Sequence, residues 1–121
     1  MSIKFDMKID GDTLFVEAIG TDDDLEDVLK YGTAVIKEAI LNKTPKVICD
    51  ERELEYRIGT FDLYELAEKY AELAPHLAKV AIVCQSECYP DAKFWEDVSA
   101  NKGLSFRVFT SMPSAREWIE K

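Results

Sequence analysis

Ile3-Lys4-Phe5-Asp6-Met7-Lys8-Ile9, then Asp10-Gly11-Asp12, then Thr13-Leu14-Phe15-Val16-Glu17-Ala18-Ile19: this opening stretch sets the architecture. Two runs with alternating apolar residues flank a tight-turn signal, which predicts an antiparallel hairpin. In the second run Leu14, Val16 and Ala18 alternate with Phe15, Glu17 and Ile19, a set that is only partly polar. A strand so apolar on both sides reads as covered on both faces, the situation of a sheet sandwiched by helices.

Outward from the hairpin, helix and strand patterns alternate to the end of the chain. Thr21 before Asp22-Asp23-Asp24 reads as a helix start, the hydroxyl capping a backbone N–H and the carboxylates facing the positive end of the dipole. Leu25, Val28, Leu29, Val35, Ile36, Ala39 and Ile40 follow at helical spacing, with Gly32 on the same stripe, where it allows close backbone packing. Asn42 and Pro45 end that helix. Lys46–Asp50 reads as a buried strand, and the segment from Glu51 to Gly59 as irregular or a short strand-like excursion. Thr60-Phe61-Asp62 opens a second helix with Leu63, Leu66, Ala67, Tyr70 and Leu73 inward, stopped by Pro75. Val80–Cys84 is the next strand, and Pro90 starts a third helix that carries Phe94, Trp95 and Val98 and stops at Gly103. Ser105–Thr110 is the last strand, and Ser111 and Pro113 open a terminal helix with Ala115, Trp118 and Ile119 inward. The expected fold is α/β: a mixed, mostly parallel five-stranded sheet in the order β-β-α-β-α-β-α-β-α, begun by an antiparallel hairpin.

At 121 residues the chain is read as one domain, residues 1–121. Its formal net charge of −9 repels nucleic-acid phosphates and anionic headgroups, so neither is an expected partner. No apolar stretch reaches bilayer length, and the N-terminus enters a strand pattern with no signal-peptide core, which predicts a cytoplasmic protein without integral membrane association. Three cysteines make no disulfide framework.

The element order resembles the SpoIIAA-like branch of the STAS superfold, a resemblance that covers essentially the whole chain. It is carried by Val47-Ile48-Cys49-Asp50, Thr60-Phe61-Asp62-Leu63, Phe94-Trp95-Glu96, Asn101-Lys102-Gly103, Phe106-Arg107-Val108-Phe109 and Ala115-Arg116-Glu117-Trp118-Ile119. These are mostly packing and capping positions. The resemblance implies β-α units around one sheet and non-catalytic work in a bacterial setting: phosphorylation-switched protein binding, or binding of small nonpolar ligands much as CRAL-TRIO domains do. Anti-sigma-factor antagonists carry an Asp-Ser-Ser-Gly-like segment at the start of the helix after this strand. Here the equivalent reads Ile58-Gly59-Thr60-Phe61-Asp62-Leu63, with Thr60 the only hydroxyl and offset from the expected serine.

Four groups of residues are candidates for chemistry. Tyr56, Phe61, Tyr64, Phe94 and Trp95, around the second and third helices, line an apolar ligand pocket, meet a partner, or fill the core. Asp50, Glu51 and Arg52, with Gln85, Ser86 and Glu87, fall at the carboxyl edge of the sheet, where open α/β folds bind ligands; Asp50, Arg52 and Ser86 are the polar-edge candidates. The alternative for that edge is a solvated charge run in which Arg52 pairs a neighbour. Thr60 is a phosphorylation site or a helix cap. Cys84, Cys88 and a distant His76 do not make a four-ligand zinc site, and no cofactor, metal or catalytic residue is expected.

The sequence thus reads as a non-enzymatic domain that binds a small hydrophobic ligand or a protein partner near residues 51–62 and the following helix. Segment 51–59 and that helix would shift to open or close the site. The alternative is a phospho-regulated module of the anti-sigma-antagonist type. The apolar helical faces are compatible with a homodimer.

Overall fold

The computed structural model describes residues 3–22, 24–57, 60–72 and 79–121, with backbone only at 22 and 60–63. Strands β1 (Ile3–Asp10) and β2 (Thr13–Asp22) are followed by helix α1 (Leu25–Leu41), strand β3 (Lys46–Tyr56) and helix α2 (Thr60–Ala71). Strand β4 (Lys79–Val83), a 3-10 turn (Ser86–Cys88), helix α3 (Tyr89–Asn101), strand β5 (Phe106–Phe109) and helix α4 (Met112–Glu120) complete the chain. The sheet order is β1-β2-β3-β4-β5. Only β1 runs antiparallel to its neighbour, and the other pairings are parallel. This is the expected α/β fold.

Successive parallel strands advance in one direction across the sheet, so right-handed crossovers stack their helices on one face. Tyr31, Val35 and Ile36 of α1, Leu66 and Tyr70 of α2, and Trp95 and Val98 of α3 accordingly share one core with Leu14, Val47, Val80 and Val108. The last helix follows the edge strand and turns back under the sheet, where Ala115 and Ile119 meet Ile48, Ala81 and Val83 in a second, smaller core. Phe15 extends that core toward β2, with the Arg116 guanidinium 4.6 Å from its ring centroid.

Helix α1 starts later than the sequence suggests. Thr21 is not its cap but part of β2, because β3 is long enough to pair with β2 out to Asp22↔Tyr56 and holds Thr21 in the ladder. Asp24 takes the capping role, its carboxylate accepting from the Asp27 N–H at 2.8 Å. Gly32 allows close packing as expected: a Cβ there would lie 1.7 Å from the Tyr70 hydroxyl oxygen.

Residues 51–56 are strand. β3 passes its expected end at Asp50 through a bulge: Glu17 pairs with Asp50 and Ile19 with Glu53, so Ala18 faces both Glu51 and Arg52. Alternation before the bulge turns Val47, Cys49 and Glu51 toward the α1–α3 side. The extra residue then resets it, and Leu54 and Tyr56 join that same side while Glu53 and Glu55 stay in solvent.

A buried carboxylate in an apolar cavity is the candidate functional site

Between the sheet and the α1–α3 layer lies a cavity of about 110 Å³. Its walls are apolar: Val35 and Ile36 from α1, Leu66 from α2, Trp95 from α3, Val80 and Ile82 from β4. Tyr70, Trp95 and Phe106 form a run of edge-on rings along one wall, with centroids 6.0 and 5.6 Å apart. The Tyr70 hydroxyl is turned away to donate to the Val28 carbonyl at 2.9 Å, tying α2 to α1.

One carboxyl group reaches this space from the sheet. Glu51 is 7% exposed. The Tyr31 hydroxyl donates to its Oε2 at 2.8 Å and the Tyr56 hydroxyl to its Oε1 at 2.5 Å. The spacing that brings Tyr56 onto Glu51 is a product of the bulge, since residues an odd interval apart on a regular strand face opposite ways. Phe5 packs edge-on against Tyr31 at 5.2 Å and holds that ring in place. Burial pushes both tyrosines well above their usual pKa, Tyr31 further through Cys49 and Glu51 and Tyr56 through Glu51. Their protons therefore stay on the phenols at neutral pH and remain donated to the carboxylate. Burial likewise pushes the Cys49 thiol far up and that of Cys84 up to about 11, so neither is a thiolate nucleophile near neutrality.

The sequence-predicted site residues separate. Tyr56 and Trp95 line the cavity. Tyr64 and Phe94 instead stack edge-on against each other at 5.9 Å, with Tyr64 48% exposed. The side chains of Phe61 and Thr60 lie outside the described residues, as do Leu73, Pro75 and His76; the backbone at Thr60 is the first residue of α2. Asp50 and Arg52 sit on the opposite face of the strand from Glu51 and pair with each other through two bonds, 2.7 and 2.9 Å. The guanidinium of Arg52, bonding Asp50, holds its carboxyl below the usual range. Ser86 is exposed in the 3-10 turn and makes no hydrogen bond to that pair among the described residues. Gln85 does reach β3, donating to the Arg52 carbonyl at 2.6 Å beyond the point where β4 pairing ends. Asp50, Glu51 and Arg52 therefore do not converge in one cleft.

Reading the sequence missed Tyr31 as a site residue and placed Glu51 at a solvated edge. A signal was present in Tyr31, which lies on the apolar stripe of α1: a tyrosine buried there requires an acceptor for its hydroxyl. Among the described residues no group of three or more His, Cys, Asp and Glu could hold a metal, and no helix is long and apolar enough to cross a membrane.

No protein-family model and no curated protein matches the chain. Solved structures do. An anti-sigma factor antagonist from Mycobacterium paratuberculosis superposes with a TM-score of 0.66 at 16% identity, over 99% of this chain and 96% of that one. An uncharacterized protein with a SpoIIAA-like fold from Shewanella loihica PV-4 gives a TM-score of 0.59 at 20% identity, over 98% of this chain and 94% of that one. The chain thus has the SpoIIAA-like fold, as its sequence suggests.

Proposed function

We propose that this is a non-enzymatic, cytoplasmic ligand-binding domain that holds a small, largely nonpolar molecule between the sheet and α1–α3. The cavity of about 110 Å³ carries the reading. Its largely apolar walls offer dispersion contacts to a guest, the kind of lining with which a cavity binds hydrocarbon. Entry falls to α2, which faces the cavity with Leu66 and Tyr70 and is joined to α1 by the Tyr70–Val28 hydrogen bond. Segment 51–56 is laddered to β2 and stays with the sheet. Backbone amide NMR during titration with toluene tests this: shifts are expected at Tyr31, Leu66 and Trp95 and not along α4. Absence of any shift up to toluene saturation would overturn it.

A second reading is supported by the likeness to an anti-sigma factor antagonist. In it the domain binds a protein partner under control of phosphate at Thr60, the first residue of α2, where a helix N-terminus favours an anion. It predicts that a cognate kinase modifies the wild type and not Thr60→Ala, and that modification changes partner capture.

A further inference from the structure

We infer that a second copy of this chain docks along the outer edge of β1, the two strands running antiparallel about a twofold axis at Met7. The sheet then runs continuously through both copies of a closed dimer.

β1 is an outer strand, and among the described residues no strand pairs with its far edge. The hairpin turn decides which backbone groups point that way. Its two-residue loop makes Asp10↔Thr13 a hydrogen-bonded pair, and alternation gives Lys8↔Phe15, Asp6↔Glu17 and Lys4↔Ile19 the same character. The N–H and C=O groups of Phe5, Met7 and Ile9 therefore face outward, where they extend the ladder to an added strand. The other outer strand, β5, has four residues against eight in β1 and offers a much shorter ladder.

The side chains choose the partner and the register. One face of β1 carries Lys4, Asp6, Lys8 and Asp10, all exposed. Within the hairpin they lie opposite Ile19, Glu17, Phe15 and Thr13, so β2 places no opposite charge directly across and sets Glu17 against Asp6. Lysines along an edge ordinarily repel another copy. Here the signs alternate. Antiparallel pairing with Met7 across from Met7 sets Lys4 against Asp10 and Asp6 against Lys8, each twice by symmetry. A slip of two residues one way sets Asp6 against itself and Lys4 against Lys8; the other way, Lys8 against itself and Asp6 against Asp10. A slip of four restores opposite charges on a shorter ladder, and a slip of one sets charged residues against apolar ones. On the other face of the strand the favoured register brings Ile9, 47% exposed, against Phe5 of the second copy. Phe5 is already held by Tyr31, so little ordering is needed there. The edge is thus self-complementary in charge, in apolar contact and in backbone hydrogen bonding.

Sedimentation equilibrium of the intact chain, from micromolar to millimolar concentration, tests this. A monomer–dimer equilibrium with no larger species is expected. Asp6→Lys and Lys8→Asp each set like charges across the axis and should each weaken the dimer about tenfold. Mixed in equal amounts, the two variants regain opposite charges at every pair. They should then form a heterodimer about as tight as the wild-type dimer, which also shows that both are folded. A chain that stays monomeric throughout overturns the assignment and leaves the edge to an extended segment of another protein. A dimer indifferent to both substitutions overturns it too, as do weakened variants that fail to combine. Growth past the dimer does the same, being the mark of head-to-tail pairing between β1 and β5.

Discussion

The two faces of the sheet handle similar raw material in opposite ways. Under α4, Ile48, Ala81 and Val83 meet Ala115 and Ile119, and the alanines at both contact positions let the helix settle close to the strands. The acid on that side, Asp50, stays at the surface with Arg52. Under α1–α3 the walls are built from large rings and branched chains that span the gap without filling it, and the acid on that side, Glu51, is drawn inside. Asp50 and Glu51 are sequence neighbours of nearly the same chemistry. Strand alternation alone decides that one is solvated and ion-paired while the other is desolvated and held by two tyrosines. The face under α4 is closely packed, and the face under α1–α3 keeps a cavity of about 110 Å³.

The largest expected break in this contrast is at the acids themselves. Glu51→Ala strands two buried hydroxyls and should lower unfolding free energy by roughly 2–5 kcal/mol in urea denaturation. Asp50→Ala should change it by less than about 1 kcal/mol. Adding Tyr31→Phe and Tyr56→Phe to the Glu51 variant should restore much of the loss, because unmatched donors, rather than the lost contact, carry most of the cost. Next in size is Gly32→Ala: the new methyl collides with a tyrosine ring wedged against Trp95, and about 1–3 kcal/mol is expected. A double-mutant cycle with Tyr70→Ala should show that penalty shrinking.

The packing contrast is tested by one substitution made on each face. Ala115→Leu, at a fully buried site beneath the sheet, should cost about 1–3 kcal/mol through overpacking. Ala92→Leu grows into the cavity, should change stability by less than about 1 kcal/mol, and should abolish toluene binding. The smallest effect concerns pH. The folded-state pKa of Asp50 lies below its unfolded value, so its contribution is complete above the ordinary carboxylate range, about 3.9, and fades as pH falls through the lower folded value. Solvent screening keeps that contribution under about 1 kcal/mol. Comparing acid unfolding of the wild type with Asp50→Asn should show a slight shift confined to that window.

Element order, sheet topology and the hairpin were legible because each rests on local pattern: alternation across Ile3–Ile19, helical spacing from Leu25 to Ile40, and proline and glycine stops. The start of α1 was not, since the length of β2 depends on what β3 offers it from far along the chain. The site was half legible. Tyr56 and Trp95 belong to the aromatic set that reaches the cavity, but Tyr64 and Phe94 carry the same composition and stack on each other instead. The run Asp50-Glu51-Arg52-Glu53 suggests a polar edge or a solvated charge run rather than a buried Glu51. Only the bulge, a pairing property invisible to composition, shows that the strand continues past it and carries Tyr56 round to the same side.

The bulge also changes how relatives of this chain should be searched for. No substitution at any one position moves Glu51 out of line with Tyr56; only insertion or deletion of a residue between them does. The interval of the pair is therefore a more durable marker than the identity of the intervening residues, which face solvent at Arg52, Glu53 and Glu55 and are free to drift. A chain of this fold that has lost one residue there would present a glutamate to water or a tyrosine to water, whatever its overall similarity. Counting along the third strand would sort such chains into those with the buried acid and those without it before any of them is purified.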